Sequence, residues 1–157
     1  MWVQLAAAVA IVVPLGLDLY MPVPEDNPAT VDSVMLGRRL FFDRRLSRDQ
    51  SLSCSSCHRP DRAFSDGRKV AVGVFGRTGT RSAPALINRG YGRLFFWDSR
   101  TQSLEDTVLR PISNPLEMNL PVAEAAARVA CRTTRSRVRS PATCVRFSRA
   151  TRPSIAS

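Results

Sequence analysis

The sequence predicts an all-α fold in which short helices are joined by long loops around a bound prosthetic group. No stretch of any length alternates apolar and polar residues as a strand does, whereas start and stop signals for helices recur along the chain. The segment 52–67 adds the five-residue motif Cys-x-x-Cys-His. The 157 residues are enough for one domain with tails.

The motif formed by Cys54, Cys57 and His58 is the attachment signature of a c-type haem. The two thiols add across the haem vinyl groups as thioethers, and the histidine that follows becomes the proximal ligand of the iron. A thioredoxin-type redox pair would need a strand–helix–strand context, which the flanks lack. A structural zinc site needs four ligands, but Cys131 and Cys144 lie far away without a pairing motif. A plain disulfide would leave the histidine unexplained. The sequence therefore predicts one covalent haem c, and loops this long can pack on its apolar face.

The N-terminal residues 1–21 are predicted to be an export signal or a weak membrane anchor. Their apolar run, Leu5–Leu17, is interrupted by Pro14 and is shorter than a membrane-spanning helix. The alternative is a buried apolar arm. Residues 22–30 are rich in proline and polar residues, which predicts a linker.

The first helix is expected to begin after Thr30, whose side chain can cap it, with Asp32 favouring its positive end. Gly37 and Phe41 are four residues apart and therefore lie on the same face of this helix, and that face is expected to pack closely against another helix. A short helix is expected at residues 85–89.

Two further helices are predicted after this point. Ser103, with an acid three residues later, resembles a capping box and predicts a helix over 104–110 that ends near Pro111. Pro121 can start a last helix over 122–130.

The net charge of +10 is concentrated in the C-terminal tail. Residues 1–130 carry 16 Lys and Arg against 13 Asp and Glu, whereas residues 131–157 carry seven Arg and no acid. Without interleaved aromatic residues, this block does not predict nucleic-acid binding. The tail is expected to be disordered or translated from a shifted reading frame, which would agree with GC-rich DNA and 22 Arg to one Lys. The haem domain is therefore placed at residues 31–130.

The stretch from Leu36 to Leu120 resembles the N-terminal domain of the di-haem cytochrome c peroxidase/MauG family. The matching segments, in the family's order and spacing, are LGRRLFFDRRLSRDQSLSCSSCHRPDRAFSDG, VGVFGRTGTRSAPALIN, FFWDSR and PISNPLEM. The resemblance implies a cytochrome c-like domain in the periplasm or otherwise exported, touching a membrane only through the N-terminal apolar segment. It also implies an enzyme that reduces hydrogen peroxide with electrons from a cytochrome c or cupredoxin, or that oxidises a protein substrate.

Members of this family carry two haem domains, each with its own attachment motif. This sequence contains one such motif and one histidine. We therefore expect a chain that is truncated or frameshifted before the second haem domain.

The resemblance also implies roles for single residues. Glu117 in NPLEM matches the distal carboxylate that moves a proton between the peroxide oxygens. Trp97 in FFWDSR matches the aromatic relay between the haems, and Pro111 matches a proline that lines the distal pocket. The alternatives are a solvated acid at Glu117 and a core tryptophan that only packs at Trp97.

Three departures from the family pattern modify these expectations. Val74 stands where some members place a distal histidine, so the iron is expected to be five-coordinate or water-bound. Thr107 replaces a glutamine that supports the distal carboxylate, and Ser82 replaces an asparagine near the family's calcium, so no calcium site is expected. The alternative function is a mono-haem electron carrier, whose sixth ligand would be Met118.

Overall fold

The computed structural model describes residues 13–133, with side chains to residue 130, and over this range the prediction of an all-α fold is confirmed. Its β structure is limited to isolated bridges, such as those between Arg59 and Ser65 and between Val72 and Thr78, and no strand is formed between residues 13 and 133. The described elements, in chain order, are α1 (Val31–Phe41), a 3-10 turn (Arg44–Leu46), α2 (Cys54–Cys57), three 3-10 turns (Pro60–Arg62, Val74–Gly76 and Arg89–Tyr91), α3 (Leu104–Ser113) and α4 (Val122–Thr133).

Helix α1 begins where its capping residues predict. The Thr30 hydroxyl oxygen accepts from the Ser33 amide at 3.1 Å, and the Ser33 hydroxyl oxygen accepts from the Thr30 amide at 2.9 Å. These two reciprocal bonds close the helix start, and the Thr30 amide donates to the Pro28 carbonyl as well, at 2.9 Å. The close helix packing expected at Gly37 does not occur among the described residues, because a Cβ added there would meet no atom within 4 Å.

The prediction of a helix at residues 85–89 is wrong. Asn88 has a φ of 56°, in the left-handed region, and a right-handed helix cannot continue through that conformation. A 3-10 turn begins only after it, closed by hydrogen bonds from the Tyr91 amide to the Asn88 carbonyl and from the Gly92 amide to the Arg89 carbonyl.

Helix α3 starts as predicted but ends later. The Ser103 hydroxyl accepts from the Asp106 amide at 3.1 Å and caps the helix. Pro111 does not end it. A proline removes only its own amide donor, and beyond it the Asn114 amide still donates to the Arg110 carbonyl at 3.0 Å. The helix therefore runs to Ser113.

The core lies where α4 packs on α3 and on the turn after α1. Helix α4 starts directly after Pro121, whose carbonyl accepts from the Ala125 amide at 2.9 Å, and it runs three residues beyond the predicted end. The cluster of buried apolar side chains at this junction consists of Leu46, Ile112, Met118, Leu120 and Ala125.

Arg128 ties α4 to the segment that leads into the haem motif. Its guanidinium donates to the Ser47 carbonyl at 2.8 Å and to the Arg45 carbonyl at 3.2 Å. In return the Arg45 guanidinium donates to the Arg128 carbonyl at 2.8 Å. These reciprocal bonds fix the approach to the functional site.

Met21, the residue before the expected linker at residues 22–30, lies against the domain. The Met21 sulfur is so close to Gly90 that an added Cβ would stand only 2.5 Å from it. Between residues 13 and 133, no helix combines the length and apolar character that a membrane crossing requires. Residues 1–12 of the expected export segment and residues 134–157 of the basic tail lie outside the described residues.

Candidate functional site

The haem-attachment motif occupies a single helical turn, α2, which presents both thiols. The Ser53 amide donates to the Ser56 hydroxyl at 3.0 Å at the start of the turn. The His58 amide donates to the Cys54 carbonyl at 2.9 Å at its end. Both cysteines are free and neither is fully exposed, so the two thiols are available on one short, well-anchored turn.

Both thiols of α2 are held in their neutral form. Burial raises the pKa of the Cys54 thiol. Burial also raises the pKa of the Cys57 thiol, to about 11, with smaller contributions from the negative charges of Asp66 and Glu117. These electrostatic contributions show that Glu117, sixty residues later in the chain, has been brought near the motif.

The tautomer of His58 is fixed by its surroundings. Its Nδ1 lies 2.9 Å from the carbonyl oxygen of Phe64, and a carbonyl can only accept, so Nδ1 carries the proton. The lone pair of Nε2 is therefore free to bind a metal, as in proteins where the second nitrogen of a ligating histidine is held by a backbone carbonyl. The loop that brings the carbonyl back turns through Ala63 and Phe64, both with φ near 55° (53° and 57°).

These residues fit a covalent haem. Two free thiols flank one turn, the next side chain offers Nε2, and Phe64, whose carbonyl holds the His58 ring, belongs to a cluster of aromatic rings. Phe41 and Phe64 are in edge contact at 6.0 Å between ring centroids, and Phe41 and Phe42 at 5.1 Å. Such a donor set, with one nitrogen and two thiols next to apolar rings, matches a haem better than an ion held by protein ligands alone.

Glu117 is half-buried in the loop between α3 and α4. Burial raises the pKa of its carboxyl above the ordinary value. The hydrogen bond from the Asn114 amide to Oε1, at 2.9 Å, and the nearby Arg100 and His58 oppose this rise. The carboxyl is therefore a partly desolvated acid close to the haem motif.

The backbone of the Glu117 loop is clamped by the segment 73–77. The Val74 amide donates to the Glu117 carbonyl at 2.8 Å, and the Arg77 guanidinium donates to the Pro115 carbonyl at 2.9 Å. At Gly73 an added Cβ would overlap the Leu116 carbonyl oxygen. Val74 itself is fully buried and has no ligating atom.

Met118 and Pro111 lie on the inner side of this loop. The Met118 amide donates to the Pro111 carbonyl at 3.1 Å. The Met118 side chain is only 6% exposed and packs in the core cluster with Leu46, Ile112 and Leu120. Its sulfur is thus surrounded by aliphatic groups.

Trp97 is an exposed tryptophan with a fixed ring. It is 63% exposed, and its Nε1 donates to the Ser82 carbonyl at 2.9 Å. Its neighbour Asp98 forms ion pairs with Arg81 and Arg100, each at 2.9 Å. The ring is therefore presented at the surface and does not pack in the core.

Thr107 makes its hydrogen bonds at the start of α3. Its hydroxyl lies 2.6 Å from the Thr101 hydroxyl and donates to the Ser103 carbonyl at 2.6 Å. No hydrogen bond between Thr107 and Glu117 is formed among the described side chains, and the partner of Glu117 is instead Asn114. Sequence reasoning missed Asn114, although the Asn-Pro pair that begins the NPLEM segment is a turn signal. It also missed Gly73 and Arg77, whose contacts are made across the fold and leave no local pattern.

The family of this chain follows from comparison with known proteins. A family model described as di-haem cytochrome c peroxidase matches residues 31–147. The chain belongs to the di-haem cytochrome c peroxidase family. Family members are named cytochrome c peroxidases, which are haem-dependent oxidoreductases. The matched range begins at the first residue of α1 and includes the whole of the site described above.

Relatives and solved structures agree with this assignment. The chain is 46% identical over 100 residues to the methylamine utilization protein MauG of Methylorubrum extorquens, covering 64% of this chain and 28% of the relative. It is 39% identical over 97 residues to the cytochrome c peroxidase Ccp of Escherichia coli, covering 62% of this chain and 21% of the relative.

A solved MauG-like protein associated with microbial copper homeostasis has the same fold, with a TM-score of 0.65 and 38% identity. The match covers 81% of this chain and 37% of that protein. The diheme peroxidase BthA of Burkholderia thailandensis aligns with a TM-score of 0.57 and 28% identity, covering 73% of this chain and 35% of BthA. This chain thus spans less than two fifths of the length of each of these proteins.

Proposed function

We propose that this chain is a peroxide-reacting haem domain of cytochrome c peroxidase type. It reduces hydrogen peroxide with electrons from a small donor protein, a c-type cytochrome or a cupredoxin. The observation that carries the proposal is the half-buried carboxyl of Glu117, hydrogen-bonded at 2.9 Å by Asn114 and close enough to the haem motif to influence Cys57 electrostatically.

Cys54 and Cys57 would hold one haem through thioethers, and Nε2 of His58 would bind its iron. When bound, this group supplies the redox chemistry that peroxide reduction requires. The Phe64 carbonyl supports the role of His58, because its bond to Nδ1 fixes the orientation of the ring and leaves Nε2 as the nitrogen that can bind the iron.

Glu117 is proposed to move the proton in this reaction. Peroxide reduction requires that one peroxide oxygen gives up a proton and that the other gains one so that it can leave as water. One carboxyl can accept the first proton and donate it again, provided that it is near both oxygens and partly shielded from solvent. The raised pKa of Glu117 supports this, because a carboxyl whose pKa lies closer to neutral pH can both accept a proton and return it. Pro111, in α3 beside this loop, is proposed to line the same pocket.

Trp97 is proposed to carry electrons between this site and a second redox centre. An indole can be oxidised transiently, and the ring of Trp97 is 63% exposed, which allows close approach of a redox partner. The hydrogen bond to Ser82 holds the ring in one orientation.

We further propose that the domain works outside the cytoplasm, as a periplasmic or otherwise exported protein. Covalent haem attachment, which bacteria complete outside the cytoplasm, and the apolar N-terminal residues support this location. No nucleic-acid role is proposed, because many Arg side chains of the described domain pair with its own carboxylates, as in the bonds of Arg45 to Asp43 and Arg110 to Asp106. No calcium site is proposed at Ser82.

The electron-carrier alternative requires Met118 as a ligand to the iron. The aliphatic surroundings of its side chain do not support that role, so the open coordination position of a peroxidase is the favoured state.

The proposal is tested by the change Glu117→Gln in the haem-loaded chain. Because glutamine cannot accept and return a proton, the rate of the first spectral change after rapid mixing with peroxide should fall by about 10²–10⁴. Glu105→Gln is the matched control, since Glu105 is an exposed acid in the first turn of α3, and it should react like the parent. Equal rates in the parent and Glu117→Gln would remove Glu117 from the mechanism.

A further inference from the structure

Asn114 makes an unusually complete set of hydrogen bonds in the loop that carries Glu117. Its backbone amide ends α3 by donating to the Arg110 carbonyl at 3.0 Å. Its carbonyl accepts from the amides of Glu117 at 3.0 Å and Asn119 at 2.9 Å. Its side chain accepts at Oδ1 from the Leu116 amide at 3.0 Å and donates from Nδ2 to Glu117 Oε1 at 2.9 Å. One residue therefore fixes both the backbone and the carboxyl of Glu117.

The orientation of the Asn114 side-chain amide is determined by its partners. The Leu116 amide can only donate, so the atom that faces it must be the acceptor Oδ1. Nδ2 is then the atom that faces Glu117, and exchanging the two would lose both hydrogen bonds. The backbone of Asn114 is extended, with φ −67° and ψ 123°, which is the conformation that the following proline favours. The donor is thus aimed before any substrate arrives.

The amide of Asn114 acts against the burial of Glu117. Burial stabilises the neutral carboxyl, whereas a donated hydrogen bond stabilises the ionised one. The other charged or titratable groups that act on this site are Arg100, from the segment that follows Trp97, and His58 and Cys57 of the haem motif. Of these groups and Asn114, only Asn114 is hydrogen-bonded to the Glu117 carboxyl in the described structure.

We propose that Asn114 is the positioning residue of the proton-transfer site: it holds the carboxyl of Glu117 in one orientation and keeps it able to ionise. The inference rests on the proposed role of Glu117. Loss of the Nδ2 donor, with the loop kept intact, should make Glu117 harder to ionise and should slow its proton transfer at pH values where the parent is fully active.

The variants Asn114→Asp and Asn114→Ser remove the hydrogen bond from Nδ2 to Glu117 while keeping the turn that Oδ1 stabilises. Each keeps a side-chain oxygen that can accept from the Leu116 amide, and each removes the Nδ2 donor. Asp adds a charge and a second titratable group, whereas Ser adds neither. Asn119→Asp and Asn119→Ser are the matched controls, because Asn119 lies in the same loop and no hydrogen bond joins its side chain to Glu117 among the described residues.

The first measurement is an infrared pH titration of the carboxyl C=O stretch in the haem-loaded full chain, labelled with ¹³C-glutamate. The chain has only four glutamates, and Glu117→Gln identifies the band of interest. In Asn114→Ser the pKa of Glu117 should rise by about one pH unit or more, the expected effect of losing a hydrogen bond to a charged group. Asn119→Ser should leave it unchanged, whereas Asn119→Asp measures the effect of an added charge alone.

The second measurement is the pH dependence of the rate with peroxide. In both Asn114 variants, the acidic part of the pH–rate profile, where the rate rises with pH, should move to higher pH. The shift should equal the rise in the pKa of Glu117. If Glu117→Gln slows the reaction but neither Asn114 variant shifts the pKa of Glu117 or the acidic part of the pH–rate profile, the positioning role of Asn114 is wrong. The proposed function then stands. If Glu117→Gln itself has no effect on the rate, the proposed function fails and the role of Asn114 fails with it. An equal pKa shift in Asn114→Ser and Asn119→Ser would also overturn the inference.

Discussion

Glu117 and Met118 are neighbours in the chain, yet their side chains lie in different surroundings. The Glu117 carboxyl remains partly accessible beside the haem motif, where burial and the Asn114 amide act on its pKa in opposite directions. The Met118 side chain turns into the core with Leu120 and Ile112. Consecutive residues in an irregular loop can face opposite ways, so the functional group and the structural one can be adjacent.

This difference predicts the effect of Met118→Leu. Leucine is apolar and of similar volume, so it should fill the core with a cost below about 1.5 kcal/mol. It should also leave the iron spectrum unchanged, because the proposed function does not use Met118 as a ligand. Electron paramagnetic resonance of the ferric haem-loaded chain should show a mainly high-spin signal before and after the change. A low-spin signal in the parent that disappears in Met118→Leu would instead establish the electron carrier.

At the scale of elements, the 3-10 turn Val74–Gly76 and its flanks hold the Glu117 loop through the backbone. The Val74 amide and the Arg77 side chain bond two carbonyls of that loop. Gly73 lets the two chains approach more closely than a side chain would allow. The contact joins segments about forty residues apart, so it forms only when the domain has folded.

Gly73→Ala should therefore destabilise the domain and displace Glu117. The added Cβ would overlap the Leu116 carbonyl oxygen and stand 2.6 Å from that of Glu117, and a backbone cannot yield as a flexible side chain can. We expect the free energy of unfolding, measured with denaturant on the haem-loaded chain, to fall by about 1–3 kcal/mol, together with a slower reaction with peroxide.

Gly37→Ala makes the same chemical change inside α1, where nothing lies within 4 Å of the added Cβ. It should raise the free energy of unfolding by about 0.5–1 kcal/mol, because alanine is the better helix former. If Gly73→Ala were as stable as the parent, the proposed clamp on the Glu117 loop would be wrong.

At the scale of the whole molecule, the described domain buries few apolar side chains. Between residues 13 and 130, eight hydrophobic residues are buried, whereas seventeen large hydrophobic ones are exposed. Apolar burial is the main stabilising contribution to folding, and a haem adds a large apolar surface on which such side chains can pack. The prosthetic group is therefore expected to stabilise the fold as well as to supply its chemistry.

Removing the two thiols of α2 tests this expectation. Expressed with a c-type maturation system, the parent should keep one haem through extraction with acidified acetone, and Cys54→Ala/Cys57→Ala should not. The double variant should also unfold at a lower denaturant concentration, since it loses the group on which the domain packs. Cys131→Ala/Cys144→Ala removes the same number of thiols outside the motif and should keep its haem. Retention of the haem by the α2 double variant would refute covalent attachment at this motif.

The sequence by itself determined the features that depend on neighbouring residues. The haem motif is five consecutive residues, and Thr30 and Ser103 cap helices through amides only three residues away, so these predictions needed no knowledge of the fold. The all-α class followed from the same local signals. The family resemblance drew attention to Glu117 and Trp97, whose proposed roles remain predictions.

Tertiary structure decided what depends on distant residues. The left-handed conformation of Asn88 prevents the helix that was predicted around it. Pro111 lies inside α3, because the Asn114 amide beyond it still donates to the Arg110 carbonyl. The Gly73 contact and the burial of Glu117 and Met118 arise from packing between segments far apart in the chain. A local pattern records which residues can start or end an element, but desolvation and close backbone contact exist only after the chain has folded. For this reason only the structure could reveal the surroundings of Glu117.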